Sequence, residues 1–154
     1  MPRGQKRGLK VLVIHGPNLN LLGIREKEIY GSLTLDNINK EIIQRAKKLA
    51  LLVKILQSNS EGEIVTQIQE ASGRYDCLII NPAAYTHTSV AIRDAIIAIG
   101  IPTIEVHISN IFKREEFRRK SFISDIAVGH ISGLGKESYL LALEAAAKLF
   151  RSES

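Results

Sequence analysis

Tryptophan is absent from this chain of 154 residues, aromatic side chains make up only 5% of it, and there is one cysteine. With so few rings, the core must be built from Ile, Leu, Val and Ala. The lone Cys77 cannot form an internal disulfide, so nothing demands an oxidising compartment. Its neighbours Tyr75, Leu78, Ile79 and Ile80 suggest a buried, inert thiol. No apolar run approaches the ~18 residues that span a bilayer. Residues 1–10 are basic and lack an apolar centre, unlike a secretory signal; the expectation is a cytoplasmic protein without membrane association. Acidic residues are also missing from that segment. Arg3, Lys6, Arg7 and Lys10 account for four of the five net positive charges, which leaves the rest nearly neutral. The charge therefore describes a basic tail rather than a nucleic-acid-reading surface, and no reading motif accompanies it.

What the sequence does contain is alternation. Val11–Ile14 is a short β-rich run. Leu35, Ile38, Ile42, Ala46 and Leu49 recur at helical spacing. Residues 52–56 read as a strand. Ser60-Glu61-Gly62-Glu63 has the form of a capping box and opens a helix that turns Ile64, Ile68 and Ala71 inward. Residues 78–80 are a strand, and residues 89–99 are a helix stopped by Gly100 with Pro102 beyond it. Residues 103–106 are a strand, 115–120 a short helix or turn, 126–131 the last strand and 136–150 the last helix. Five β–α alternations imply a parallel sheet covered by helices on both faces. At this length, the reading is an α/β flavodoxin-like three-layer sandwich with a five-stranded parallel sheet, order 2-1-3-4-5. Residues 1–8 form a flexible basic tail, 9–150 a single domain and 151–154 a C-terminal tail.

In such a sheet, ligands bind beyond the carboxyl ends of the strands. Those ends carry His15-Gly16-Pro17-Asn18, Gln57-Ser58-Asn59-Ser60, Asn81 to His87, His107-Ile108-Ser109-Asn110 and Ser132-Gly133-Leu134-Gly135. Turn chemistry explains any one of these tips. It explains less well why three of the four histidines converge on one edge. The fourth, His130, falls inside the last strand and reads as structural. Gly16 to Gly23 matches neither a dinucleotide fingerprint nor a triphosphate loop, no Cys/His spacing suggests zinc, and neither Ser89 nor Ser109 sits in a nucleophile elbow. A phosphoacceptor receiver would need acidic residues where His15 and Asn81 stand. Residues 16–34 form a long connection, of the length that often makes a lid, and it carries Asn18, Arg25 and Tyr30. Spacing alone leaves open whether Tyr30 is a base beside a cationic activator or an ordinary packed ring.

His15-Gly16-Pro17-Asn18-Leu19-Asn20-Leu21-Leu22-Gly23 resembles the opening signature of the type II 3-dehydroquinate dehydratases. Tyr30-Gly31-Ser32-Leu33-Thr34-Leu35, Gln57-Ser58-Asn59, Glu61-Gly62, the run from Asn81 to Ser89, the run from Glu105 to Asn110, and Arg114-Glu115-Glu116-Phe117-Arg118 follow in the same order. The resemblance spans residues 9–150. It departs at Ser60 and Lys120, where the family often has His, at His130, where an apolar residue is common, and at Ile111-Phe112-Lys113. None of these removes a residue the family uses for chemistry.

The resemblance implies the same flavodoxin-like fold and the reversible loss of water from 3-dehydroquinate through an enolate. It implies no metal and no coenzyme, and places the reaction in the shikimate or quinate pathways. Tyr30 would be the base. A free phenol has pKa near ~10, so a cation such as Arg25 is needed to favour its anion. Asn18 would hold a water or the enolate oxygen. His107 would donate a proton to the departing hydroxyl, oriented by Glu105 two residues upstream. Asn81, Ser109 and the backbone N–H of Ile108 would take the substrate carboxylate, and His87 and Arg118 the ring hydroxyls. Asp94 would reach a neighbouring subunit's site, since the family forms trimers assembled into dodecamers. Three other readings remain at this stage: a non-catalytic binding module, a flavin carrier, and an oligomer gripping nucleic acid through its tail.

Overall fold

The structure, a computed structural model, describes residues 8–24 and 27–151, with only the backbone at Tyr30. Five strands form one parallel sheet: β1 (Lys10–His15), β2 (Leu52–Gln57), β3 (Cys77–Asn81), β4 (Thr103–His107) and β5 (Gly129–Ser132), in the order β2-β1-β3-β4-β5. The crossovers carry α1 (Lys27–Tyr30) with α2 (Leu35–Lys48), α3 (Glu61–Glu70), and α4 (Val90–Ile99); α5 (Glu137–Leu149) follows β5. The expected flavodoxin-like three-layer sandwich is the fold observed.

Successive side chains of a strand face opposite sides of the sheet, and this period splits the core in two. Val11, Val13, Cys77, Ile79, Ile104 and Val106 pack on Ile38, Ile42 and Ala46 of α2 and on Tyr139, Leu140 and Leu143 of α5. Leu12, Ile14, Leu78 and Ile80 pack on Ile64 and Ile68 of α3 and on Ile92 and Ile96 of α4. β3 is buried from end to end, as a central parallel strand requires. Cys77 is fully buried, and burial, helped by the nearby Asp76 charge, pushes its thiol up to about 12.

The element boundaries show where local signals succeed. α4 is capped by Ser89, whose hydroxyl accepts the Ile92 N–H at 3.0 Å, and ends at Gly100 with φ 69°, a conformation that glycine adopts without Cβ strain. Ser60 caps α3 by accepting the Glu63 N–H at 3.2 Å. The reciprocal capping box sits instead on α2: Thr34 accepts from Asn37 N–H, and the Asn37 side chain accepts from Thr34 N–H. Two expectations shift. Lys10 belongs to β1, its N–H donating to Asp76 at 2.9 Å, so it is not part of a tail. The last strand begins at Gly129 rather than residue 126, because the Ile126 and Ala127 N–H groups are turned back onto the Ile123 carbonyl.

Candidate active site

The carboxyl ends of β1, β3 and β4 open onto one cleft. Pro17, Asn18, Asn81, Ala83, His87, His107, Ile108, Ser109, Arg114 and Arg118 line it. The structure therefore brings Asn18, Asn81, His87, His107, Ile108, Ser109 and Arg118 together. Glu105 lies beneath His107, and Asp94 stands exposed on α4 away from the cleft lining. Arg25 and the Tyr30 side chain lie outside the described residues. Arg114 is a lining residue whose signal was available, since it opens the motif that Arg118 closes.

The tips of β2 and β5 do not line the cleft. The β2 tip supports it: Gln57 Nε2 donates to the Gly16 carbonyl at 3.1 Å, and Asn59 Oδ1 accepts the Asn18 N–H at 3.0 Å. Gly16 crosses directly over the next strand end. Its N–H donates to the Asn81 carbonyl at 2.8 Å, and a Cβ at this position would meet the Pro82 carbonyl oxygen at 2.5 Å. Only glycine allows that approach. Asn18 follows at φ 69°, in the left-handed region that asparagine tolerates better than most residues.

His15 and Asn81 fall on the α2/α5 side of the sheet. His15 is fully buried. Its Nε2 donates to Asn39 Oδ1 at 2.8 Å, and its Nδ1 accepts the Tyr139 hydroxyl proton at 2.9 Å. That hydroxyl in turn accepts from Asn81 Nδ2 at 2.9 Å, and Asn81 Oδ1 takes the Ala83 N–H at 3.1 Å. Burial lowers the His15 pKa to about 4, against the smaller opposing effect of Asn39. His15 is thus a neutral tie between two helices and the sheet. Asn81 keeps one N–H free for the cleft, since an amide nitrogen carries two.

Glu105 and His107 fall on the opposite side. Glu105 is fully buried, which by itself would raise its pKa. The hydrogen bond and charge of His107, at 2.5 Å from Nε2 to Oε2, and the hydroxyls of Ser124 and Ser121 outweigh burial and bring it below the ordinary value. The serines hold mainly Oε1, at 2.7 and 2.9 Å. With Nε2 of His107 committed, Nδ1 is the ring atom left for a ligand. His87 donates from Nδ1 to the Lys120 carbonyl at 2.8 Å, which frees its Nε2, and burial holds its pKa below the usual histidine value. Arg118 is fixed by Glu115 and lies 5.1 Å from the Phe117 ring centroid.

Register adds a residue that sequence reasoning set aside. β4 and β5 pair with Glu105 opposite His130, so both project on one face. His130 Nε2 lies 3.6 Å from Glu105 Oε2, and its ring 5.5 Å from that of His107. Glu105, His107 and His130 offer ligand atoms all within 4.8 Å of one another, the one such group of metal-ligating side chains among the described residues.

The arrangement can bind an anionic, hydroxyl-rich small molecule against amides and guanidinium groups and deliver a proton from a carboxylate-backed imidazole. Comparison with known proteins agrees. Residues 9–147 match the family model for dehydroquinase class II. The 3-dehydroquinate dehydratase of Geotalea daltonii is 58% identical over 137 residues, 89% of this chain and 95% of that protein. The crystal structure of type II dehydroquinase from Propionibacterium acnes superimposes with a TM-score of 0.87 at 42% identity, covering 92% of this chain and 99% of the other. That from Butyrivibrio crossotus gives 0.88 at 46%, covering 90% and 97%.

Proposed function

Because the chain belongs to the class II dehydroquinase family, we propose that it removes water from 3-dehydroquinate with His107 as general acid, Glu105 as its orienting partner and Tyr30 as base. The activity itself, a hydro-lyase reaction in the shikimate pathway, follows from the family; the division of labour is our reading. The observation that carries it is the Glu105–His107 pair at the rim of the cleft. A buried carboxylate hydrogen-bonded to the ring fixes its orientation, and an imidazole so placed can hand a proton to a departing hydroxyl.

In this reading Tyr30, activated by Arg25, takes a proton from the carbon next to the ketone. Asn18 holds a water or the enolate oxygen, and His107 then protonates the leaving hydroxyl. Asn81, Ser109 and the Ile108 N–H receive the substrate carboxylate; His87 and Arg118 receive ring hydroxyls. The catalytic unit is residues 9–150, flanked by short tails. No step calls for a metal or coenzyme. Val90 and Ile97 are exposed on α4 at 51% and 53% and share a helical face with Asp94. An apolar face carrying one carboxylate fits a homo-oligomer in which Asp94 enters a neighbour's cleft, assembled as a dodecamer of trimers. Among the described residues, no helix is long and apolar enough to cross a membrane. A chain whose one thiol is buried suits the cytoplasm.

Addition of 3-dehydroquinate to the purified chain should raise ultraviolet absorbance as the conjugated product forms, unaffected by EDTA or borohydride. Tyr30→Phe should retain ligand binding and lose nearly all turnover. Wild-type kcat in that variant would remove Tyr30 as the base.

A further inference from the structure

We propose that Glu105, His107 and His130 form an inhibitory binding site for a borderline divalent cation, with Zn²⁺ the best match. Three observations support it. The first is register. Pairing of β4 with β5 sets Glu105 against His130, and His107 lies two residues further along the same face. The backbone therefore holds two imidazoles and one carboxylate together without any loop having to order.

The second is the carboxylate's surroundings. Ser124 and Ser121 hold Oε1 at 2.7 and 2.9 Å, while Ser121 reaches Oε2 at 3.1 Å, and Oε2 is the oxygen that faces both rings. Ligating carboxylates are commonly held in this way by further hydrogen bonds.

The third is His130 Nε2, a buried atom that makes no hydrogen bond. Glu105 Oε2, at 3.6 Å, lies beyond hydrogen-bond reach. A buried polar atom without a partner calls for an explanation, and here the nearest acceptor stands where a shared ion would bridge the gap.

The distances fit. Zinc bonds to N and O of about 2.0–2.2 Å in a tetrahedron set ligand atoms about 3.3 Å apart. The His107–Glu105 separation of 2.5 Å would open by less than an ångström, and the His130–Glu105 separation of 3.6 Å would close by a few tenths. Two imidazoles and a carboxylate are a ligand set that zinc takes while leaving a fourth position open. His107 lines the cleft, so the ion has a route in.

Binding replaces the His107–Glu105 hydrogen bond with two metal bonds. The ring of His107 is then held by the ion instead of by Glu105 and is no longer free to act as the proton donor. Only this inhibitory half rests on the proton-donor reading of His107; the binding half does not.

The test titrates the untagged chain with zinc chloride against a chromophoric chelator, and assays turnover in parallel. Wild type should take up one Zn²⁺ per chain and lose activity in step, with EDTA restoring it. His130→Leu should keep its kcat, bind Zn²⁺ at least about tenfold more weakly and lose sensitivity by the same factor. X-ray absorption at the zinc edge of the wild-type complex should count two imidazoles, and this stands whether or not the variant folds. No uptake at ~100 µM Zn²⁺, equal binding by His130→Leu, or a single-imidazole spectrum would each overturn the proposal. Binding without inhibition would retain the ion site and remove His107's role as donor.

Discussion

Two histidines end strands on either side of β3, and their surroundings differ because they face opposite sides of the sheet. His15 points toward α2 and α5, where Asn39 and Tyr139 occupy both ring nitrogens and burial keeps it neutral. His107 points the other way, onto Glu105, with one nitrogen left for the cleft. The residue type is the same and the strand position nearly so. What differs is whether the layer beneath supplies neutral partners or a carboxylate.

The contrast is broken most directly by replacing each imidazole in turn. His107→Asn should lower kcat by about 10²–10⁴-fold with an unchanged circular dichroism spectrum. His15→Asn should leave the chemistry largely intact and cost stability instead. Equal loss of turnover in both would mean that the two faces are not functionally distinct.

Acid sharpens it further. The unfolded His15 titrates at 6.5 and the folded one at about 4. The neutral form is the one the fold holds, so its contribution is present above pH 6.5 and disappears as pH falls through 4. About 3 kcal/mol is at stake. Urea midpoints taken between pH 7 and 4 should fall for the wild type and fall less for His15→Asn.

Tyr139→Phe is a smaller probe of the same region. It strips Asn81 of an acceptor and His15 of a donor, for about 1–3 kcal/mol, read as a drop in Tm. Ser60→Ala belongs to neither region. It should cost about 1 kcal/mol through the lost cap on α3, and an equal kcat would confirm that stability alone can be changed.

The strand ends were legible from sequence because each β-rich run gives way abruptly to a polar residue (His15, Gln57, Asn81, His107 or Ser132), and the parallel order follows from regular alternation. Which tips meet was less legible. Gln57 and Asn59 turned out to support the cleft rather than line it, since β2 is an edge strand and its tip reaches inward only through hydrogen bonds to Gly16 and Asn18. The His15 tie could not be read, because Tyr139 is 124 residues away and nothing local marks the pairing. His130 reads as structural from sequence for a similar reason: its place beside Glu105 is a matter of inter-strand register, and one strand alone does not contain it. The cap on α2 escaped notice because Asn37 stands where the usual pattern has Glu or Gln.

The missing side chain at Gly16 sets a limit on what this molecule can evolve. With the Pro82 carbonyl oxygen 2.5 Å from where a methyl group would sit, the distance between the first and third strand ends cannot grow by substitution at that position. The spacing of these two strand ends, behind the cleft, is fixed. A change in the cleft's width must then come from residues that line it, such as Ile108, Ser109 and Arg118.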